Sequence, residues 1–186
     1  MITTMLLFLQ QLDQKVFLWL QGLIYGHHWL IVICVILASP GLFIALLIFV
    51  LLWFFGKSHD EKKQNRIALS SALLAALIAR FILKEIITAF WSRPRPFETL
   101  TNVNQLLFRD GGGSFPSGHA VFSFAIAAVV GRYYPKTGIA FYAAAIFISI
   151  SRVVAGVHWP SDILGGAVIG VGTGFLVYVV AKRFLR

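Results

Sequence analysis

From residue 30 onward the chain alternates long apolar runs with short polar interruptions, and the length of each run limits what it can be. A hydrocarbon core roughly 30 Å thick takes about 20 apolar residues as helix. Residues 30–55 and 67–90 reach that length clearly, and 117–134, 138–155 and 163–181 follow as three further spans. None of these runs shows the alternation of a membrane barrel, and open strands would leave backbone groups unpaired in lipid, so the pattern predicts helices. The expected fold is all-α: an integral membrane bundle of five transmembrane helices forming one domain over residues 1–186.

The first 25 residues read differently. Gln10, Gln11, Asp13, Gln14, Lys15 and Gln21 interrupt the stretch and make spanning expensive, while Met5, Leu9, Leu12, Val16, Leu20 and Leu23 recur at helical spacing. That is the pattern of an amphipathic helix lying in the membrane interface. A sixth span is the competing reading. The start lacks a positive n-region and a small-residue cleavage site, so no removable signal peptide is expected.

Composition sharpens this picture. With 59% hydrophobic and 12% charged residues, a soluble domain of this size would lack polar surface. The net charge of +9 does not indicate nucleic acid, because the basic residues lie between apolar runs rather than on a soluble module. It reads as topology. Lys57, Lys62, Lys63 and Arg66 occupy the first loop, Arg132 and Lys136 the third, and Lys182, Arg183 and Arg186 the tail. With five spans these fall on one side, which the positive-inside rule makes cytoplasmic. The loop 91–116, the turn 156–162 and the amino-terminal helix then face outward. Cys34 is the single cysteine, so no internal disulfide is expected.

The outward segments carry Arg93, Arg95, Ser117, His119, Ser151, Arg152, His158 and Asp162. Ionisable groups beside the hydrocarbon are costly, so a cluster of them is a functional signal. Arg93 and Arg95 also admit a plain reading as helix-end side chains that snorkel, and His27 and His28 read as ordinary interfacial residues. As a set, however, the residues suit an anion. Guanidinium groups at Arg95 and Arg152 would bind phosphoryl oxygens bidentately. Phe115-Pro116-Ser117-Gly118-His119 leads from Gly111-Gly112-Gly113 into a span, so Ser117 and Gly118 would present amides and a hydroxyl at a helix start. His158 and Asp162 are four residues apart, about one helical turn. A carboxylate there can hold one imidazole nitrogen and leave the other to attack phosphorus, with His119 protonating the leaving oxygen. A hydrolytic triad built on Ser117 lacks a Gly-x-Ser-x-Gly elbow. Zinc on His119, His158 and Asp162 is disfavoured by the neighbouring arginines, so no metal or other cofactor is expected.

Taken together, Pro116 to His119 and Ser151, Arg152, His158 and Asp162 resemble the signature of the type 2 phosphatidic acid phosphatase superfamily of membrane lipid phosphatases, relatives of the vanadium haloperoxidases. The resemblance implies His158 as nucleophile, Asp162 as its partner, His119 as acid and base, and Arg95, Ser117, Gly118 and Arg152 as phosphate ligands. The first part of the signature, Lys, six residues, then Arg-Pro, departs, because counting back from Arg93-Pro94 and Arg95-Pro96 lands on Ile86 and Thr88 rather than lysine. Lys84 lies eleven residues before Arg95, about 16 Å along a continuous helix, and stands between a phosphate ligand and a structural ion pair. The stretch Trp91 to Phe97 and the short length look most like the bacterial undecaprenyl diphosphatase branch. That implies a lipid phosphate substrate, membrane lipid as surroundings, a plasma membrane location and an external site. Phosphatidylglycerophosphate, lipid A and less selective lipid phosphatases would use the same residues, and a lipid-headgroup-binding or lipid-moving protein is the non-enzyme alternative.

Overall fold

The computed structural model describes residues 2–39, 59–101, 103, 105–107 and 112–184, with side chains from residue 8 in the first segment and residue 61 in the second. Helix α1 (Ile2–Tyr25) is followed by α2 (His28–Ala38). Helix α3 (His59–Leu77) passes through a π-helical turn (Ile78–Leu83) into α4 (Lys84–Phe90). After the short α5 (Pro96–Thr99) come α6 (Gly118–Tyr133), α7 (Pro135–Val154) and α8 (Pro160–Phe184). Glu61–Phe90, Pro135–Val154 and Pro160–Phe184 are long and apolar enough to cross a membrane, while α2 and α6 are apolar but shorter.

Four of the expected spans therefore correspond to helices of nearly the expected bounds. The first does not run as one helix. Helix α2 ends at Ala38, and Ser39 is extended at φ −79° and ψ 153°, as the residue before a proline prefers to be. The rest of that expected span, residues 40–58, lies outside the described residues, and the five-span parity depends on it.

Close packing in the bundle depends on small side chains, because lipid offers no hydrophobic drive for one helix to seek another. Gly166, Gly170 and Gly174 line one face of α8. A Cβ at Gly170 would lie 2.5 Å from the Val121 carbonyl oxygen, and one at Gly174 would lie 2.6 Å from that of Ala125. The same α6 meets α3 and the π-helical turn after it through Ala72, Ala75, Ala76 and Ala79 against Val121, Ala125 and Val129. Large apolar residues such as Phe147, Leu164, Val168 and Val180 point outward, where lipid would cover them.

Polar contacts show which ends belong together. The Tyr134 hydroxyl meets Asn65 Oδ1, and the Tyr133 ring packs edge-on against Tyr178, with centroids 5.2 Å apart. The start of α3, the α6–α7 junction and the end of α8 thus share one end, together with Arg66, Arg132, Lys136 and Lys182. The expected site residues lie at the other end.

Helix α1 turns its faces the opposite way from a water-soluble helix. Asp13, Phe17 and Gln21, spaced at four, are buried, while Leu9, Leu12 and Leu23 are half exposed. Asp13 and Gln21 each find a partner, as buried polar groups in an apolar setting generally do. Gln21 Nε2 donates to the Val154 carbonyl at 3.1 Å, and Phe17 packs on Trp159 with ring centroids 5.5 Å apart.

Candidate active site

The start of α6 forms the floor of the site. Ser117 occupies the N-cap position, and its amide donates to the Asp162 carbonyl at 3.1 Å, which ties this turn to the first turn of α8. The Ser117 hydroxyl is buried and has no hydrogen-bond partner among the described residues. Gly118 begins the helix and His119 is its second residue.

Helix α7 delivers Ser151 and Arg152, both buried in its last turn. Arg152 Nη1 donates to the Ala38 carbonyl at 2.6 Å. A cation there suits the negative end of α2, so α2 helps aim the guanidinium. The chain then turns through Gly156, whose φ of +79° is a left-handed conformation that glycine adopts without strain. Residues 151–159 are buried throughout.

His158 sits in that turn, outside the flanking helices. Its Nδ1 lies 2.9 Å from the Ser114 carbonyl oxygen. A carbonyl can only accept, so Nδ1 carries the proton and Nε2 of the neutral ring has a free lone pair. Burial is the main influence on the ring; Asp162 comes next and acts the other way, and the charges of Arg152 and Arg95 add smaller pushes in the direction of burial. Asp162 does not prevail, and the pKa is pushed down from 6.5 to about 4. The imidazole is therefore neutral at physiological pH, as a nitrogen nucleophile must be.

Asp162 is fully buried. Its Oδ2 accepts from the Trp159 amide at 2.8 Å and stands 3.5 Å from His158 Nδ1, while its Oδ1 accepts from Arg93 at 3.0 Å. The two residues do not share a helix, because α8 begins only at Pro160. Asp162 turns back over the start of α8, and that capping geometry brings it near His158. The expected histidine–carboxylate pair is thus close, but the Ser114 carbonyl is the nearer acceptor and 3.5 Å is long for a hydrogen bond.

Arg95 is buried and braces the surrounding loops. Its Nε donates to Gly112 O at 3.1 Å, Nη1 to Val157 O at 2.6 Å and Nη2 to Gly113 O at 3.2 Å. Since Val157 precedes His158, this guanidinium fixes the backbone that carries the His158 ring. Gly111, the first glycine of the expected run, lies outside the described residues.

Several residues at the site were not found by sequence reasoning. Arg80, on the π-helical turn, lies against Gly118: a Cβ there would be 2.7 Å from Arg80 Nε. This places a third guanidinium beside the α6 start, one turn before Lys84, and an arginine inside the apolar run 67–90 is the signal that was available. Lys84 itself pairs with Glu85 Oε1 at 3.2 Å, and Arg80 Nη1 reaches the same oxygen at 2.7 Å. The ion-pair alternative for Lys84 is the one the structure shows. The helix ends at Phe90 and residues 91–95 run alongside 112–114, with the Ser114 amide donating to Arg93 O at 2.8 Å, so distance along a continuous helix does not measure its separation from Arg95. Asp13 also belongs to the surroundings of Asp162, through Arg93, which the sequence had already placed in the outward cluster.

Comparison with known proteins gives the family and the fold. A family model described as the PAP2 superfamily matches residues 69–186. The chain is 35% identical over 120 residues to bacitracin transport permease protein BcrC of Bacillus licheniformis, covering 64% of this chain and 59% of that protein, so the match spans about three fifths of the relative's length. It is 26% identical over 167 residues to undecaprenyl-diphosphatase BcrC of Bacillus subtilis, covering 90% of this chain and 83% of that one. The crystal structure of Aquifex aeolicus LpxE superimposes with a TM-score of 0.70 at 26% identity, covering 93% of this chain and 96% of that one.

Proposed function

This chain belongs to the PAP2 superfamily, and we propose that it is a diphosphatase converting undecaprenyl diphosphate to undecaprenyl phosphate and inorganic phosphate through a phosphohistidine at the external face of a bacterial plasma membrane. The observation that carries the proposal is the His158 ring, held neutral by burial with its proton on the nitrogen facing Ser114 O.

The terminal phosphoryl group rests at the start of α6, where the Ser117 hydroxyl and the Gly118 amide face it and Arg152 and Arg95 neutralise its charge. Nε2 of His158 attacks phosphorus, the bond to the bridging oxygen breaks, and His119 gives that oxygen its proton. Lipid monophosphate leaves. His119, now neutral, takes a proton from water as the water attacks the phosphohistidine, and phosphate departs with His158 restored. The shared end of Arg66, Arg132 and Lys182, opposite the site, supports the external placement by the positive-inside rule. The named activity of the Bacillus subtilis relative supports the substrate. The isoprenoid tail stays in lipid between helices while only the headgroup enters.

The test is turnover by purified protein on a panel of undecaprenyl diphosphate, phosphatidylglycerophosphate and lipid A. The diphosphate should be cleaved fastest, without added metal, unaffected by chelator and inhibited by vanadate. A faster rate on either of the other two lipids would reassign the substrate, and binding with no turnover of any would make the chain a headgroup-binding protein.

A further inference from the structure

Arg93 stands between two buried carboxylates contributed by opposite ends of the chain. Its Nη1 donates to Asp162 Oδ1 at 3.0 Å and to the Ser161 hydroxyl at 2.6 Å, while Nη2 donates to Asp13 Oδ2 at 2.6 Å. Asp13 goes further. Its Oδ1 accepts from the Ser161 amide at 2.9 Å, and the Ser161 hydroxyl donates to its Oδ2. The first-turn amides of a helix have no partner within it. Asp13 satisfies one of those of α8 from a residue 148 positions away, with the sign of charge that a helix start favours. Asp162 satisfies the Trp159 amide just before it. The start of α8, and with it the segment carrying His158, is thus held by two carboxylates that share one arginine. The Arg93 guanidinium also lies over the Trp159 ring, 5.2 Å from its centroid, and Phe17 of α1 packs on that ring from its own side.

We propose that Asp13 is a positioning residue: the amino-terminal helix is a clamp that holds Arg93 and the first turn of α8, and through them Asp162 and His158, in working register. The inference rests on the reading of His158 as nucleophile. Asp13 touches neither His158 nor the phosphate cradle, and it lies outside residues 69–186 that match the family model, so the clamp is an addition from beyond the matched domain. The polarity of α1 has the same explanation. An interfacial helix needs no carboxylate on its buried face. This one places Asp13 there, almost fully enclosed, because its partner is an arginine fixed beside the site.

The experiment compares wild type, Asp13→Asn, Arg93→Gln, the double variant and His158→Ala as full chains in detergent, with the folded fraction measured by size exclusion and rates expressed per folded molecule. Asp13→Asn keeps the shape of the side chain and removes the charge. It should lower kcat roughly ten- to a hundredfold while KM changes less than about threefold, because the site is misaligned rather than unable to bind. Asp13→Glu, with its charge restored, should recover part of the loss. The double variant should lose little more than Arg93→Gln alone, since both remove the same clamp. Wild-type kcat in folded Asp13→Asn, or a double variant whose losses multiply, overturns the proposal. If His158→Ala turns over at the wild-type rate, the underlying reading fails instead, which separates the two.

Discussion

A single methyl group at Gly166 tests whether helix packing sets the geometry of the site. In Gly166→Ala the new Cβ would lie 2.8 Å from Ala120 Cβ and 3.0 Å from the Ser117 carbonyl oxygen. Carbon atoms normally approach to about 3.5–4.0 Å, so relief requires a movement of roughly 0.7 Å. Neither neighbour can rotate aside, because one is backbone and the other is attached directly to it, so α6 and α8 must separate. Overpacking of this kind costs about 1–3 kcal/mol. The separation falls between the turn carrying Ser117, Gly118 and His119 and the turn carrying Asp162. A displacement approaching 1 Å can lower a rate on the order of 10²-fold, so kcat should fall roughly ten- to a hundredfold. Gly174→Ala is the control, with a comparable clash at 2.6 Å from Ala125 O and 2.8 Å from Ala128 Cβ. It lies eight residues along the helix, about 12 Å away. Both variants should lose similar stability on thermal unfolding in detergent, but Gly174→Ala should keep kcat within about threefold. Equal losses of kcat in the two, or wild-type kcat in Gly166→Ala, would refute the reasoning.

Two further outcomes follow from the site itself. Ser117→Ala removes a buried hydroxyl that has no partner among the described residues, so the free protein should be no less stable, while inhibition by vanadate should weaken about tenfold through loss of a charge-assisted hydrogen bond; undiminished vanadate affinity would remove Ser117 from the cradle. The His158 ring, pushed down from 6.5 to about 4, stays neutral when folded while the unfolded chain takes up a proton, so stability is undiminished above pH 6.5 and falls as pH drops from there toward 4. The full loss is about 3 kcal/mol, and unfolding midpoints measured across that window should fall more steeply for wild type than for His158→Gln; parallel curves would show that burial does not hold the ring neutral.

The residues that could be read from the sequence act through spacing or run length. Residues 163–181 announced α8 because an apolar run of that length has no other use, and Pro116 to His119 announced a helix start because a proline and a glycine there leave amides free. The pairing of His158 with Asp162 was read from its spacing of four, but its cause is different: Asp162 folds back to cap α8 at the Trp159 amide. Other features depend on what a segment packs against, which no local pattern encodes. The polar face of α1 was expected to face water, yet Asp13 and Gln21 point inward because Arg93 and the Val154 carbonyl await them. The tautomer of His158 is set by a backbone oxygen at Ser114, which has no side-chain signature. Arg80 reaches Gly118 from a π-helical turn that apolar periodicity does not show. The break after α2 was legible in Ser39-Pro40 and was lost within a run that otherwise looked long enough to span.

In the proposed reaction His158 Nε2 becomes covalently bonded to phosphorus. Rapid quenching of the protein with undecaprenyl diphosphate carrying a labelled terminal phosphate, followed by peptide mapping, tests it most directly. Acid-labile, base-stable label should appear on the peptide containing His158, and none in His158→Ala. Label on another residue, or full turnover by His158→Ala, would contradict it.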